Sequence, residues 1–346
     1  MPRKAAKCYN VPTESTIDAA DGGATALRRR FVNKYRRFAI LPVATLVLAA
    51  CQSGSGESPS ESQAASQGAT ESSAPSESAA AEGPVCESYS GDDQLGRICE
   101  AGNIIVSTDP AYPPQSSLNS ETGEYEGFDI DVANEIGARL GVTVEFTDPP
   151  FDAVQGGNWS GRWDMSVGSV TITETRQEHL DFTQPYYFTP AQMATTDGTD
   201  IESLEDFSGT TVCVAEGTTY FDWLEGTLTL TPDAGEVTDP PADITSTTLP
   251  TDINCAEAWQ AGRSEFDGWL SSSTTVQGAI DEGYPVVAVG DPVFFEPLAV
   301  CFDILVEDND SLVESVDQII TDMHDDGTLA GFSEEWFGGL DLTTQE

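Results

Sequence analysis

The sequence predicts an α/β protein with two lobes and a cleft between them. From residue 103 onward, short runs rich in β-branched residues alternate with helical patterns, which is typical of parallel sheets covered by helices. Two such sets follow one another and meet in the middle of the chain. Beyond the N-terminal targeting and tether segments, roughly 260 residues remain to fold, a length that suits two lobes.

The first set of predicted elements begins with a strand over 104–108, which should end before Pro110 because proline lacks a backbone donor. Apolar residues recur at 128, 132, 136 and 140, so a helix is predicted over 128–140, and Gly141 should end it. Three further strands are predicted, over 142–146, 164–169 and 191–196.

The second set is predicted to contain strands over 211–215, 266–270 and 285–289 and helices over 218–228, 256–261 and 274–282. Between the elements of this set, residues 229–249 are rich in Thr, Pro and Asp, which indicates a surface insertion. Two more helices are predicted over 311–325 and 329–337.

The N-terminal residues have the pattern of an export signal. A basic block at 28–37 precedes an apolar run at 38–50, which is too short to span a bilayer but has the length of a signal-peptide core. The run ends in Leu-Ala-Ala-Cys51, which resembles a lipobox. Residues 1–50 are therefore predicted to be a signal region with an N-terminal extension, exported by either the general secretory or the twin-arginine route.

A lipidated Cys51 would begin the mature protein, and residues 51–85 would form a disordered tether to the membrane. The tether is composed almost entirely of Ser, Ala, Glu, Gly, Gln, Thr and Pro, which cannot bury enough apolar area to offset the entropy of ordering. The predicted location is thus extracytoplasmic, on a membrane surface.

The chain is strongly acidic, with 59 Asp and Glu against 14 Lys and Arg and a formal net charge of −45. Nine of the basic residues precede residue 38, and no lysine follows Lys34. Without a basic patch, nucleic acid is not an expected partner. The charge fits adaptation to high salt, where ions screen self-repulsion, or an ordinary acidic secreted protein.

Seven cysteines suit an oxidising compartment. Disulfides are expected between Cys86 and Cys99 and between Cys213 and Cys255, which leaves Cys301 without a partner in the folded part. A zinc site is the alternative, but the chain has only two histidines and no CxxC pair. No metal and no other cofactor is predicted.

Arg176 is a candidate anion-binding residue. It follows Thr173, which can cap a helix, so Arg176 is predicted in the first helical turn, where the macrodipole disfavours a cation. A guanidinium beside free backbone N–H groups can bind a carboxylate. The alternative is an exposed arginine paired with Glu174 or Glu178.

Several motifs of the folded part match one protein family in order along the chain. They are STDPAYPP (107–114), GFDIDV (127–132), FD (151–152), TIT (171–173) with Arg176, DFTQPYY (181–187), EGTT (216–219), DGT (326–328) and WFG (336–338). On these motifs the chain resembles the family 3 solute-binding proteins, the polar amino-acid receptors of ABC importers, over about residues 102–339.

The resemblance implies a two-lobed periplasmic-binding-protein-like fold with a central ligand cleft. Residues 86–190 and 293–340 would form lobe 1 and residues 191–292 lobe 2, with hinge crossings near 188–197 and 290–300. The implied function is capture of a small carboxylate-bearing solute, an amino acid, by a monomer that delivers it to an importer permease without catalysis.

The resemblance also implies which residues meet the carboxylate end of the ligand. Arg176 and the backbone N–H of Thr171 would hold the carboxylate from lobe 1. Thr219, with Thr218 beside it, would add a donor from lobe 2.

Other residues are implied around the rest of the ligand. Gly168 and Ser169 would offer a carbonyl and a hydroxyl to its amino group, and Tyr112 and Phe151 would sandwich its side chain. Asp109 would face the end of that side chain, where a carboxylate favours a cationic or amide group.

One position departs from the family pattern. The family commonly has two aspartates five residues apart in lobe 2, and the second pairs with the α-ammonium; here Asp267 matches the first and Ser272 occupies the second. The ligand would therefore lack an α-amino group, as an organic acid does, or be held by other acids. An enzyme similar to cyclohexadienyl dehydratase is a further alternative, with Asp109 or Glu216 as its acid.

Overall fold

The computed structural model describes residues 83–231 and 234–344, so the predicted signal region, the lipidation of Cys51 and most of the tether lie outside the described residues. Within the described ranges, no helix is both long and apolar enough to cross a membrane.

The first half of the fold contains three strands of the main sheet, a small three-stranded sheet and four helices. In chain order these elements are α1 (Val85–Ser88), α2 (Gln94–Ala101), β1 (Asn103–Ser107), β2 (Ala111–Tyr112), β3 (Ser116–Leu118), β4 (Tyr125–Glu126), α3 (Phe128–Leu140), β5 (Thr143–Thr147), α4 (Phe151–Gln155) and β6 (Met165–Thr171). The predicted helix over 128–140 is confirmed, and Gly141 ends it in the left-handed conformation that glycine adopts without steric cost.

The second half follows a long strand and ends in helices that return to the first half. These elements are β7 (Leu180–Thr196), β8 (Thr211–Ala215), α5 (Thr219–Leu224), β9 (Thr245–Leu249), α6 (Ile253–Gln260), β10 (Gly268–Ser272), α7 (Ser273–Asp281), β11 (Val286–Asp303), α8 (Asp310–Asp325) and α9 (Thr328–Trp336).

Three predictions about the second half need correction. The segment 229–249 is not only an insertion, because β9 lies in it and pairs in parallel with β8. The predicted helix over 218–228 ends at Leu224, and Gly226 after it has a positive φ of 68°. The strands predicted at 191–196 and 285–289 are one end each of β7 and β11, whose polar and proline-containing remainders obscured their length.

Eight strands of the described chain form one mixed sheet in the order β5-β1-β6-β11-β7-β10-β8-β9. The central strands β7 and β11 pair antiparallel along their length and belong to both halves. One apolar core packs α3, α8 and α9 against the first half of the sheet, and two others lie in the second half. The predicted α/β fold with two lobes is thus confirmed, with β7 and β11 as the crossings.

Two disulfides join Cys86 to Cys99 and Cys213 to Cys255, the same pairs that were expected from the sequence. Cys301 is free and buried in β11, and burial raises the pKa of its thiol to about 12, so it stays protonated. Among the described residues, no cluster of His, Cys, Asp and Glu could hold a metal ion.

Candidate ligand-binding cleft

A cavity lies where the two halves meet, and the unfilled space within its walls, part of it open solvent, is about 460 Å³. Nine of the ten residues expected to contact a ligand line it: Asp109, Tyr112, Phe151, Gly168, Ser169, Thr171, Arg176, Thr218 and Thr219. Residues of both halves contribute, so a molecule in this cavity would touch both lobes.

Arg176 is buried in the wall of the cavity, with 5% of its surface exposed. It begins a three-residue 3-10 turn, Arg176–Glu178, and its backbone N–H donates to the hydroxyl of Thr173 at 3.1 Å. The predicted α-helix is therefore wrong, and so short a turn has little macrodipole. The exposed-arginine alternative is also wrong, because Arg176 is buried and forms no ion pair with Glu174 or Glu178.

The guanidinium of Arg176 is positioned by neutral groups. Nη1 donates to the carbonyl of Thr171 at 2.9 Å, Nη2 to the carbonyl of Gly217 at 3.3 Å, and Nε to Oε1 of Gln155 at 3.4 Å. Its carbon lies 5.2 Å from the centre of the Phe151 ring, within cation–π range. Of five N–H donors, these bonds use three, which leaves two for another acceptor.

The charge of Arg176 has no partner in direct contact. Three other arginines of the described chain, Arg97, Arg139 and Arg263, form ion pairs with carboxylates, whereas Arg176 forms none. Burial lowers the pKa of the Arg176 guanidinium, an effect that the nearby carboxylate of Glu296 opposes. Because an arginine remains protonated in proteins, the site holds a buried positive charge that an anion can neutralise.

Ser169 is held in an unusual conformation beside the cavity. Its φ of 55° is uncommon for a residue other than glycine, and Asp129 and two tyrosines fix it in place. The hydroxyl of Ser169 donates to Oδ2 of Asp129 at 2.7 Å, and its backbone N–H donates to the hydroxyl of Tyr186 at 3.1 Å. Since its proton is engaged, Ser169 Oγ can only accept a hydrogen bond from a ligand.

Glu296 is a cavity residue that none of the sequence motifs contains. It lies in β11 with 2% of its surface exposed, and its carboxylate accepts hydrogen bonds from Thr171 at 2.7 Å, Tyr220 at 2.6 Å and Thr219. The hydroxyls of Thr171 and Thr219 are thus already engaged by a protein carboxylate. A single acid inside the apolar run 293–302 was the available signal.

Asp252 is a second cavity residue outside those motifs. It precedes α6, is 5% exposed, and its Oδ1 accepts a hydrogen bond from Ser271 at 2.7 Å. Burial raises the pKa of Asp252 to about 8; the Ser271 hydrogen bond opposes this, and the charges of Asp109 and Glu296 add to it. Its sequence position concealed it, because an acid before a helix is normally a cap.

Two aromatic residues close the cavity from opposite halves. The hydroxyls of Tyr112 and Tyr220 lie 3.0 Å apart, and both rings are buried. Thr218 also lines the cavity, but its hydroxyl donates to the carbonyl of Ala215 at 2.9 Å and caps α5. Thr218 would therefore contact a ligand by van der Waals packing and not by donating a hydrogen bond from its hydroxyl.

Ser272 does not lie where the family pattern suggested, since it is not among the residues that line the cavity. It is fully buried at the start of α7, where its Oγ accepts from the backbone N–H of Thr275 at 3.1 Å. It also accepts from Nε2 of Gln115 at 3.1 Å, a contact between the two halves. Ser272 is thus a helix cap and an interlobe contact.

A wider outer cavity shares Asp109, Phe151, Glu216 and Pro250 with the inner one and continues toward solvent. Asp148 and Asp152 add two acids to its wall. Burial raises the pKa of Asp109, which accepts a hydrogen bond from the Ala111 backbone at 2.9 Å. The approach to the cavity is therefore acidic, which favours ligands that carry a positive group.

This two-lobed fold with a buried arginine in its cleft matches a known class. Residues 104–339 match the family model of bacterial extracellular solute-binding proteins, family 3. The chain belongs to this family, and the solute-binding class expected from its motifs is confirmed.

Individual relatives agree with this assignment. The chain is 25% identical to the L-cystine-binding protein TcyJ of Escherichia coli over 258 residues, which is 74% of this chain and 90% of that protein. An ancestral arginine-binding protein bound to arginine is similar in structure, with a TM-score of 0.59, 27% identity and coverage of 68% of this chain and 99% of that one. An ancestral amino-acid-binding protein described as a precursor of cyclohexadienyl dehydratase has a TM-score of 0.59 and 26% identity, covering 70% and 99%.

Proposed function

We propose that this protein captures an amino acid outside the cytoplasm and delivers it to the permease of an ABC importer. The observation that carries the proposal is the buried guanidinium of Arg176, which has two N–H donors left and no carboxylate in an ion pair with it. The carboxylate of an amino acid would supply the missing charge through a bidentate contact.

The relatives support an amino acid as the solute. The names of the aligned proteins specify cystine and arginine, which share the α-carboxylate and α-ammonium and differ in their side chains. In this chain the rings of Tyr112 and Phe151 flank the cavity, and Asp109 lies where the inner and outer cavities join. A side chain that ends in a cationic or amide group would fit this acidic exit.

Binding would act through closure of the lobes. Arg176 and Tyr112 belong to the first half, and Thr219 and Tyr220 belong to the second, so a ligand that touches all four favours the closed arrangement. A ligand can shift the protein toward the closed state only through its higher affinity for that state than for the open one. In the proposed cycle the importer recognises the closed protein, which Cys51 anchors to the membrane as a monomer through its lipid.

The test is a panel of ligands measured by thermal shift and calorimetry with Arg176→Ala and Arg176→Lys. The panel holds L-arginine, L-histidine, L-cystine and L-glutamine, together with organic acids of similar size. We expect at least one amino acid to stabilise the protein and Arg176→Ala to lower its affinity about 100-fold, since hydrogen bonds to charged groups contribute roughly 1.5–3 kcal/mol. Arg176→Lys should retain part of the affinity, because it keeps the charge and loses the planar fork.

Arg263→Ala is the matched control, because that arginine pairs with Glu265 on the exposed surface. It should bind as the unmodified protein does. Stabilisation only by organic acids without an amino group would contradict the amino-acid proposal. Chemical conversion of a panel compound during incubation would instead establish an enzyme.

A further inference from the structure

The cavity wall contains a buried acid, Asp252, that has a hydrogen-bonding partner on only one of its two carboxylate oxygens. Oδ1 of Asp252 accepts from Ser271, and no residue of the described chain donates to Oδ2. Nor does a described arginine pair with Asp252, although only 5% of the surface of this residue is exposed in the cavity wall. A buried carboxylate without a cation is unfavourable unless a ligand supplies one.

Asp252 and Arg176 line the same cavity but do not form an ion pair with each other. The carboxylates that act on Arg176 are those of Glu296 and Asp222, whereas the acids that act on Asp252 are Asp109 and Glu296. Glu296 therefore lies near both charges, while Arg176 and Asp252 are not paired with each other. An unpaired cation and an unpaired acid separated in this way form the complement of a zwitterion.

We propose that Asp252 accepts hydrogen bonds from the α-ammonium of the bound amino acid and replaces the acid that Ser272 lacks. The proposal deepens the proposed function and rests on it. Asp252 is held by Ser271, the residue directly before Ser272, so its carboxylate reaches the same end of β10 from the adjoining helix α6. Glu296 is less suited to the role, because the hydroxyls of Thr171, Thr219 and Tyr220 already occupy both of its oxygens.

The electrostatic surroundings of Asp252 add a consequence that can be measured. Asp109, Glu296, Tyr112 and Tyr220 face it, and no cationic side chain is among them. With its pKa at about 8, the empty site holds Asp252 mostly protonated at pH 7. An ammonium beside it would lower that pKa, so ligand binding should release a proton and affinity should rise with pH up to about pH 8.

The first experiment compares amino acids with analogues that differ only in the α-amino group, in the unmodified protein and in Asp252→Asn. The probes are L-arginine with 5-guanidinopentanoic acid, and L-glutamine with glutaramic acid. In the unmodified protein the amino acid should bind about 10-fold to 100-fold more tightly than its analogue. Asp252→Asn, which still accepts from Ser271, should reduce that ratio at least tenfold by weakening the amino acid alone.

Glu257→Gln is the control, because it removes the same charge from the exposed face of the same helix. It should leave the ratio unchanged. Amino-acid binding with an unaltered ratio in Asp252→Asn would overturn the inference and leave the proposed function standing. Failure of every amino acid in the panel to bind would overturn both.

The second experiment needs no variant of Asp252. Calorimetry of the same amino acid at pH 7 in two buffers with different ionisation enthalpies measures the protons released. We expect close to one proton released per amino acid bound at pH 7. At pH 9.5 the empty site is already ionised and the α-amino group of the free ligand is largely neutral, so binding as the α-ammonium should take up a proton instead of releasing one. The same proton count at both pH values would contradict the inference.

Discussion

At the scale of single residues, the buried carboxyl of Asp129 bonds both to Ser169 in the cavity wall and to Tyr186 in the apolar core of the first half. It accepts hydrogen bonds from Tyr186 at 2.7 Å and from Ser169 at 2.7 Å, and so fixes the left-handed turn of the cavity wall. Burial raises its pKa from 3.8 to about 7, although both hydrogen bonds oppose this. The folded state therefore prefers the protonated acid more than the unfolded chain does.

Asp129 should make the protein lose stability as the pH rises. A folded pKa above the unfolded value contributes stability that is fully present below about pH 4 and is lost as the pH rises through 7. In Asp129→Asn the loss in the free energy of unfolding between pH 5 and pH 8 should shrink by up to about 3 kcal/mol. Denaturant titrations at several pH values measure it, and parallel profiles for the two proteins would contradict it.

Some residues of the cavity could be predicted from the sequence and others could not. Arg176, Tyr112 and Phe151 belong to ordered motifs, so their placement around one cavity followed from the resemblance. Glu296 and Asp252 belong to no such motif. The apolar run around Glu296 was a signal of burial, but among 59 acids nothing in the sequence marks Asp252 as buried. Burial depends on contacts between distant segments, which spacing along the chain does not reveal.

At the scale of elements, the start of α7 meets the loop before β3 in a contact between the two halves. The side chain of Gln115 donates to Thr274 at 2.7 Å and to Ser272 at 3.1 Å, and its Oε1 accepts from Thr275 at 3.3 Å. All four side chains are buried. Because the contact spans both halves, it stabilises closure without any ligand.

Gln115→Ala should therefore shift the free protein toward the open state. The variant loses three hydrogen bonds of about 1 kcal/mol each, so amino-acid binding should weaken about tenfold or more. The radius of gyration of the free protein, measured by X-ray scattering, should increase. Gln277→Ala is the control, because that amide belongs to the same helix and bonds only to Asp281 on the surface. Equal affinity and equal size for the two variants would exclude this role for Gln115.

The elements also show why some boundaries were predictable. The helix over 128–140 has a regular apolar repeat and a terminal glycine, so both of its ends were correct. The length of β7 and β11 was not apparent, because each contains prolines and exposed positions that interrupt any simple alternation. Their pairing with each other, a long-range contact, is what keeps them extended.

At the scale of the whole molecule, charge dominates. The described part of the chain contains five arginines and no lysine, and three of the arginines already pair with acids. The remaining acids repel one another across the surface, and unfolding relieves that repulsion by separating them. Added salt should therefore stabilise the fold by screening.

We expect the melting temperature to rise by roughly 4 °C between 0.1 M and 1 M NaCl, which corresponds to about 2 kcal/mol for a domain of this size. Most of the rise should occur below 1 M, because the Debye length falls from about 10 Å to about 3 Å over that range and little repulsion is left to screen beyond it. Sucrose at equal osmolality is the control, since it does not screen charge. A melting temperature that rises steadily to 3 M, or rises equally in sucrose, would show that exclusion of solute from the surface, and not charge screening, stabilises this protein.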